Sequence, residues 1–153
     1  MKKLDRIDRK ILRLLQDDGR LSNLQLAEQI SLSPTATTER LKRLTRDGYI
    51  LGYKARLSAE KLDLGLLVFV QVKLDRTTPD VFETFAASVQ RADEVMECHM
   101  VAGGFDYLVK ARVKGMENYR KFLSDVIQTL PGVRETHTYA VMEEVKNSSN
   151  LPV

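Results

Sequence analysis

The sequence predicts an α+β chain of two modules, and three observations predict it. Apolar residues recur at helical spacing through the first 48 positions, cut into three short runs by cap and stop signals. Beyond residue 61, β-prone runs and two amphipathic runs follow in the order βαββαβ. Charge divides at the same place. Residues 1–61 carry 14 Lys and Arg against 8 Asp and Glu, and residues 62–153 carry 10 against 13, so a net +6 is followed by −3. Such a sign change points to a basic module that meets a polyanion and an acidic one that does not. Domains at 1–61 and 62–153 are expected.

In the first module Ile7, Ile11, Leu14 and Leu15 share one helical face, Asp5 is a suitable N-cap and Gly19 a stop. "SNLQLAEQI" opens with Ser22-x-x-Gln25, a capping box, which predicts a second helix over about 23–30 with Leu26, Ala27 and Ile30 inward. After the turn "SLS", Ser33 caps a third helix with Pro34 at its first position, where a missing N–H is harmless, and Gly48 ends it. Two short helices across a three-residue turn, braced by a preceding helix, make a helix-turn-helix. "YILGYKARLS" is β-prone with a turn at Gly52. It should tuck Ile50 and Leu51 beneath the third helix and lead away as a wing strand.

Rotating the third helix by 100° per residue sets Thr37, Leu41 and Leu44 toward the core and a polar arc opposite. The N-terminal part of such a helix meets base edges in the major groove. Thr35, Thr38 and Glu39 are therefore base-edge candidates with Arg40 on their flank, because Thr bonds a base or touches a thymine methyl and Glu accepts from cytosine. Lys42, Arg43 and Arg46 suit phosphates. The whole candidate DNA-contacting set, cap included, is Ser33, Thr35, Thr37, Thr38, Glu39, Arg40, Lys42, Arg43 and Arg46.

In the second module "LLVFVQVKL" (66–74) is a strand with Val68, Val70, Val72 and Leu74 on one face. Residues 79–91, opening with Pro79, form a helix. "EVMECHMVAG" and "FDYLVKARV" pair through Gly103-Gly104, residues 116–130 form a helix stopped by Pro131-Gly132, and 133–145 a last strand. That order is the ferredoxin-like split βαβ. Val95-x-Glu97-x-His99 and Val133-x-Glu135-x-His137 echo one another after each helix. His99 and His137 fall on the two sheet edges, too far apart to share a metal, and no carboxylate or cysteine spacing completes a site.

Several function classes recede. No Ser/His/Asp arrangement, reactive-cysteine context or phosphate loop is present to organise catalysis, so a non-enzymatic, cofactor-free protein is expected. The longest apolar stretch, 64–70, is far short of the about 20 residues that cross a bilayer. A lone Cys98 and a mixed-charge N-terminus without an export signal fit the cytoplasm, with no membrane partner. "GGFDYLVKA" has the look of an RNA-binding strand, with Phe105 and Tyr107 placed to stack bases, but no basic residue precedes its glycines and its module is acidic. A regulatory subunit of an enzyme, with the basic module serving protein contacts, is the remaining alternative.

The segments "LDRIDRKILRLLQDDGRLSNLQLAEQISLSPT", "PDVFE", "ECHMV", "FDYL", "LPGV" and "TYAVMEEVK" resemble the Lrp/AsnC (feast/famine) regulators from Leu4 to about Asn150. The resemblance implies a winged helix-turn-helix followed by an amino-acid-sensing domain of the RAM type. It implies a double-stranded DNA partner, dimers that assemble further, usually to octamers, and an effector held between dimers. Effector-pocket positions carry over to Met100, Gly103, Gly104, Asp106, Met116, Tyr139, Ala140 and Val141. Beside that analogy, Asp106 could take an ammonium group, the glycines leave backbone N–H groups accessible to a carboxylate, and Met100, Met116 and Val141 offer an adaptable slot for a leucine- or methionine-like side chain. Ser31 stands where the family often has glycine, which predicts strain at a left-handed position.

Overall fold

The computed structural model describes residues 3–153, which form two compact units: residues up to 56 together with 146–153, and residues 57–145. The division differs from the one charge suggests, because the stretch 146–153 packs with the first unit.

In the first unit, α1 (Arg6–Asp17) is capped reciprocally. Asp5 Oδ1 accepts from the Asp8 N–H at 2.8 Å, and Asp8 Oδ2 accepts from the Asp5 N–H at 3.1 Å. The expected box at Ser22 and Gln25 opens α2 (Asn23–Ile30), with bonds of 3.2 and 2.8 Å. α2 closes on Ser31 at φ +57°, ψ +46°, where Leu32 N–H reaches Ala27 O at 3.0 Å and Ser31 N–H reaches Glu28 O at 3.2 Å. This is a Schellman closure with serine in the left-handed position that glycine usually fills. α3 (Pro34–Arg46) is capped by Ser33 Oγ, which accepts from Ala36 N–H at 3.2 Å, and Gly48 at φ +77° closes it the same way. Tyr49 and Gly48 N–H groups satisfy Leu44 and Thr45 carbonyls. Ile11, Leu12, Leu26, Ile30 and Leu44 form the buried centre, with Ile7, Leu14, Leu15, Leu41 and Ile50 around it.

The expected wing strand is absent. Residues 50–57 are irregular, and only half of the expected tuck is realised: Ile50 packs against the core while Leu51 is 94% exposed. A strand needs a partner for its backbone groups, and none among the described residues lies beside this segment. A different segment docks instead. Leu151 exchanges two backbone bonds with the Gln16 amide (3.1 and 2.5 Å), Asn150 Nδ2 donates to Asp17 at 3.0 Å, and Val153 packs on the core while its main-chain oxygen accepts from Arg13 at 3.1 Å.

The second unit contains β1 (Leu66–Leu74), α4 (Pro79–Val89), β2 (Val95–Met100), β3 (Tyr107–Val113), α5 (Met116–Asp125), a 3₁₀ turn (Ile127–Thr129) and β4 (Val133–Ala140). The sheet is antiparallel in the order β2-β3-β1-β4, as βαββαβ requires. Val68, Val70, Val72, Val109 and Ala111 are fully buried on the face that packs with Phe85, Phe122 and Ile127. Most elements end a few residues inside their expected bounds, and two fall short by five. The second helix breaks after Asp125, where Thr129 Oγ1 donates back to the carbonyls of Asp125 and Val126 at 3.1 and 2.8 Å, so side-chain bonding displaces the α pattern. β4 stops at Ala140 rather than 145 because Val141 N–H makes the last bond, 2.9 Å to Leu67 O, beyond which β1 offers no partner. Gly132 is required at its turn: φ is +76°, and an added Cβ would lie 2.7 Å from Val81.

Tyr107 is not a base-stacking residue. It is 5% exposed, stacked on Phe85 with ring centres 4.3 Å apart and edge-on to Phe82 at 6.1 Å. No helix among the described residues is long and apolar enough to cross a membrane.

Candidate functional site

α3 presents its polar arc as the phase of the sequence requires, but its side chains divide into three groups. Thr35, Glu39, Lys42 and Arg46 are exposed. Lys42 reaches Glu39 at 3.3 Å and Arg46 reaches Asp47 at 3.1 Å, both loose pairs at 70% and 76% side-chain exposure. Arg40 and Arg43 instead turn toward α1. Arg40 Nη1 contacts Asp5 at 2.6 Å and Asp8 at 2.7 Å, and Arg43 Nη2 contacts Asp8 at 2.5 Å. Thr37, expected among the DNA contacts, cannot reach a groove. It is fully buried, with its hydroxyl donating to Ser33 O at 3.0 Å.

The acidic partners show the strength of this anchoring. Asp5 is lowered to about 2 by the Asp8 N–H bond first and by Arg40 second. For Asp8, burial pushes the carboxyl upward, yet the Asp5 N–H, Arg43 and Arg40 together outweigh it and leave the group below its ordinary value. Nothing in the sequence spacing signalled Asp5 and Asp8 as partners of helix three, since 32 to 35 residues separate them.

The eight positions expected to hold an effector fall at opposite ends of the sheet. Met100, Tyr107, Val72 and Thr136 form one cross-strand row, and Gly103, Gly104 and Asp106 lie in the loop beyond that end. Val95, Ala111, Val68 and Ala140 form the row at the other end, where Tyr139, Val141 and, at the start of α5, Met116 are found. Val68 and Val72 are four positions apart, which is about 13 Å along a strand.

Within the first cluster Asp106 Oδ2 accepts from Leu74 N–H at 2.7 Å, so one carboxylate oxygen is committed to the loop. Gly103 and Gly104 have open space where a Cβ would stand. Gly104 and Phe105 border a shallow cleft with Gln71, Lys73, Glu135 and His137. Gln71 and Lys73 escaped sequence reasoning because they read only as the outward half of an alternating strand. Met100, Met116 and Tyr139 are 58%, 61% and 49% exposed.

His99, Leu108, Gln71 and His137 form a single row across all four strands, so the two imidazoles sit on opposite edges. Burial pushes the Cys98 thiol up to about 11, which leaves it a poor nucleophile.

A braced helix-turn-helix in one unit and a split βαβ sheet in the other define a DNA-binding transcription regulator with a ligand-binding module. Residues 4–50 match the family model described as winged helix-turn-helix DNA-binding, and residues 67–151 match the Lrp/AsnC ligand binding domain. The chain belongs to the Lrp/AsnC family, whose members are regulators rather than enzymes. It is similar to the leucine-responsive regulatory proteins of Salmonella typhimurium (55% identity over 99% of this chain and 93% of the relative) and Escherichia coli K12 (54%, same coverage). Among solved structures, it superimposes on a transcriptional regulator–L-Met complex from Neisseria meningitidis with TM-score 0.93 and 39% identity, covering 98% and 97% of the two chains. An AsnC family regulator from Agrobacterium tumefaciens gives 0.93 at 31%, covering 97% of each.

Proposed function

We propose that this regulator binds a leucine- or methionine-like amino acid in a pocket completed by two copies of the chain, and that occupancy shifts its assembly and so its grip on DNA. The carrying observation is the split of the eight effector positions. Two clusters about 13 Å apart along one sheet cannot both touch an amino acid within a single subunit. Juxtaposed from two copies, they supply complementary chemistry: the free oxygen of Asp106 for the ammonium group, the open backbone at Gly103 and Gly104 for the carboxylate, and Met100, Met116, Tyr139, Ala140 and Val141 for an apolar side chain. The relatives' names, leucine-responsive, and the L-Met bound to the Neisseria protein support an effector of this class.

DNA contact is assigned to Ser33, Thr35, Thr38, Glu39, Lys42 and Arg46, with Arg40 and Arg43 acting mainly through α1. Dimers that associate further, up to octamers, in the cytoplasm complete the reading. A ligand that bound every assembly equally would shift none of them.

Calorimetry with leucine and methionine, run beside sizing, tests the pocket. Asp106→Ala and Met116→Asp should each abolish binding, and a mixture of the two variants should recover part of it, because some shared pockets then draw both clusters from unaltered surfaces. Retained binding by both single variants, or no recovery on mixing, rejects the composite pocket.

A further inference from the structure

Three threonines lie near the start of α3, and their hydroxyls are not equivalent. Thr35 is exposed, and its hydroxyl makes no hydrogen bond among the described residues. Thr37 is buried. Thr38, half-buried, has its hydroxyl held in a triangle. It donates to Pro34 O at 2.9 Å and accepts from Asn23 Nδ2 at 2.7 Å, while Nδ2 also donates to Pro34 O at 3.0 Å. These roles admit no exchange, because an amide nitrogen only donates and a carbonyl oxygen only accepts. The single hydroxyl proton of Thr38 is therefore directed into its own helix. Asn23 Oδ1 is buried without a partner, so the amide tolerates one unsatisfied acceptor to hold this arrangement. With its one proton spent on Pro34 O and one lone pair on Asn23, the hydroxyl has no donor left for a base, and the γ-methyl is the apolar group that Thr38 still has to offer.

We propose that Thr38 reads DNA through its γ-methyl, as an apolar contact to a thymine C5-methyl, and that Asn23 is a positioning residue that holds the Thr38 hydroxyl with its proton turned into the helix. Thr35, by contrast, keeps a donor available. The inference rests on the assignment of α3 to the major groove, where thymine methyls are displayed.

The test is selection of preferred duplexes from a random pool by the full-length protein, followed by replacement of each thymine in the selected site by uracil, one at a time. Loss of one methyl contact should weaken wild-type binding roughly 4-fold at a single position, the equivalent of about 0.8 kcal/mol for a buried methyl group. Thr38→Val, which keeps a methyl and removes the hydroxyl, should select the same site and retain that uracil penalty. Thr38→Ser should lose the penalty at that position alone. Asn23→Ala, with folding checked by circular dichroism, should reduce the penalty rather than weaken all sequences equally. Wild-type indifference to every uracil, or a new base preference in Thr38→Val, overturns the proposal; the uracil scan needs no variant to fold. If the wild type shows no salt-sensitive affinity for any duplex, the groove assignment itself fails along with it.

Discussion

The Oδ1 atom of Asp8, a residue with no exposed surface, receives Arg40 at 2.7 Å and Arg43 at 2.5 Å. A residue from the cap of α1 thus holds α3 at two points one turn apart. The same contact withdraws two of the four cations on α3 from ready contact with phosphate.

Asp8→Asn keeps the shape and removes the charge. Two charge-assisted bonds are weakened at a buried site, so the first unit should lose about 2–3 kcal/mol, read by urea unfolding. Lys42→Ala, on the exposed arc, should change stability by less than about 0.5 kcal/mol.

Acid should unfold this unit through the same pair. Both carboxyls are lowered in the folded state, so their stabilisation is complete above the unfolded value of about 4 and is lost as pH falls through their folded values, about 2 for Asp5. Stability should therefore rise with pH across that window. Asp8→Asn should flatten the slope, and an unchanged slope would remove the pair from this role.

Salt dependence of DNA binding separates the cations. Lys42→Ala and Arg46→Ala should each reduce the slope of log affinity against log salt by about 0.9. Arg43→Gln should leave that slope nearly intact while lowering the unfolding midpoint, the reverse of what a phosphate contact would give.

Ser31 occupies a left-handed conformation that costs a residue bearing a Cβ about 1–2 kcal/mol. Glycine relieves that strain but loses more entropy on folding. Ser31→Gly should still gain about 0.5–1 kcal/mol, measured by thermal unfolding, without altering DNA preference.

Local rules carried much of the fold. Ser22 with Gln25, Ser33 with Pro34, and the alternation of Val68, Val70 and Val72 are each written within a few residues, and each element forms where those signals stand. The failures are non-local. Residues 50–57 have strand propensity but no partner to pair with, and β4 ends where β1 runs out, which its own sequence does not record. At the site, helical phase placed Lys42 and Arg46 correctly on the outer arc. It could not reveal that Arg40 and Arg43 would turn to Asp5 and Asp8, or that Asn23 would occupy the Thr38 hydroxyl, because those partners come from other helices. The effector positions came from family resemblance, and only strand register separates them into two ends.

The clasp between Gln16 and Leu151 spans 135 residues of sequence. During synthesis the three amino-terminal helices emerge long before their last partner exists. At about 5–20 residues per second, the interval between residue 56 and residue 151 is roughly 5–20 s. Throughout it α1 must persist with one flank bare, so this small module either folds early in a weakened form or waits until residue 151 has emerged.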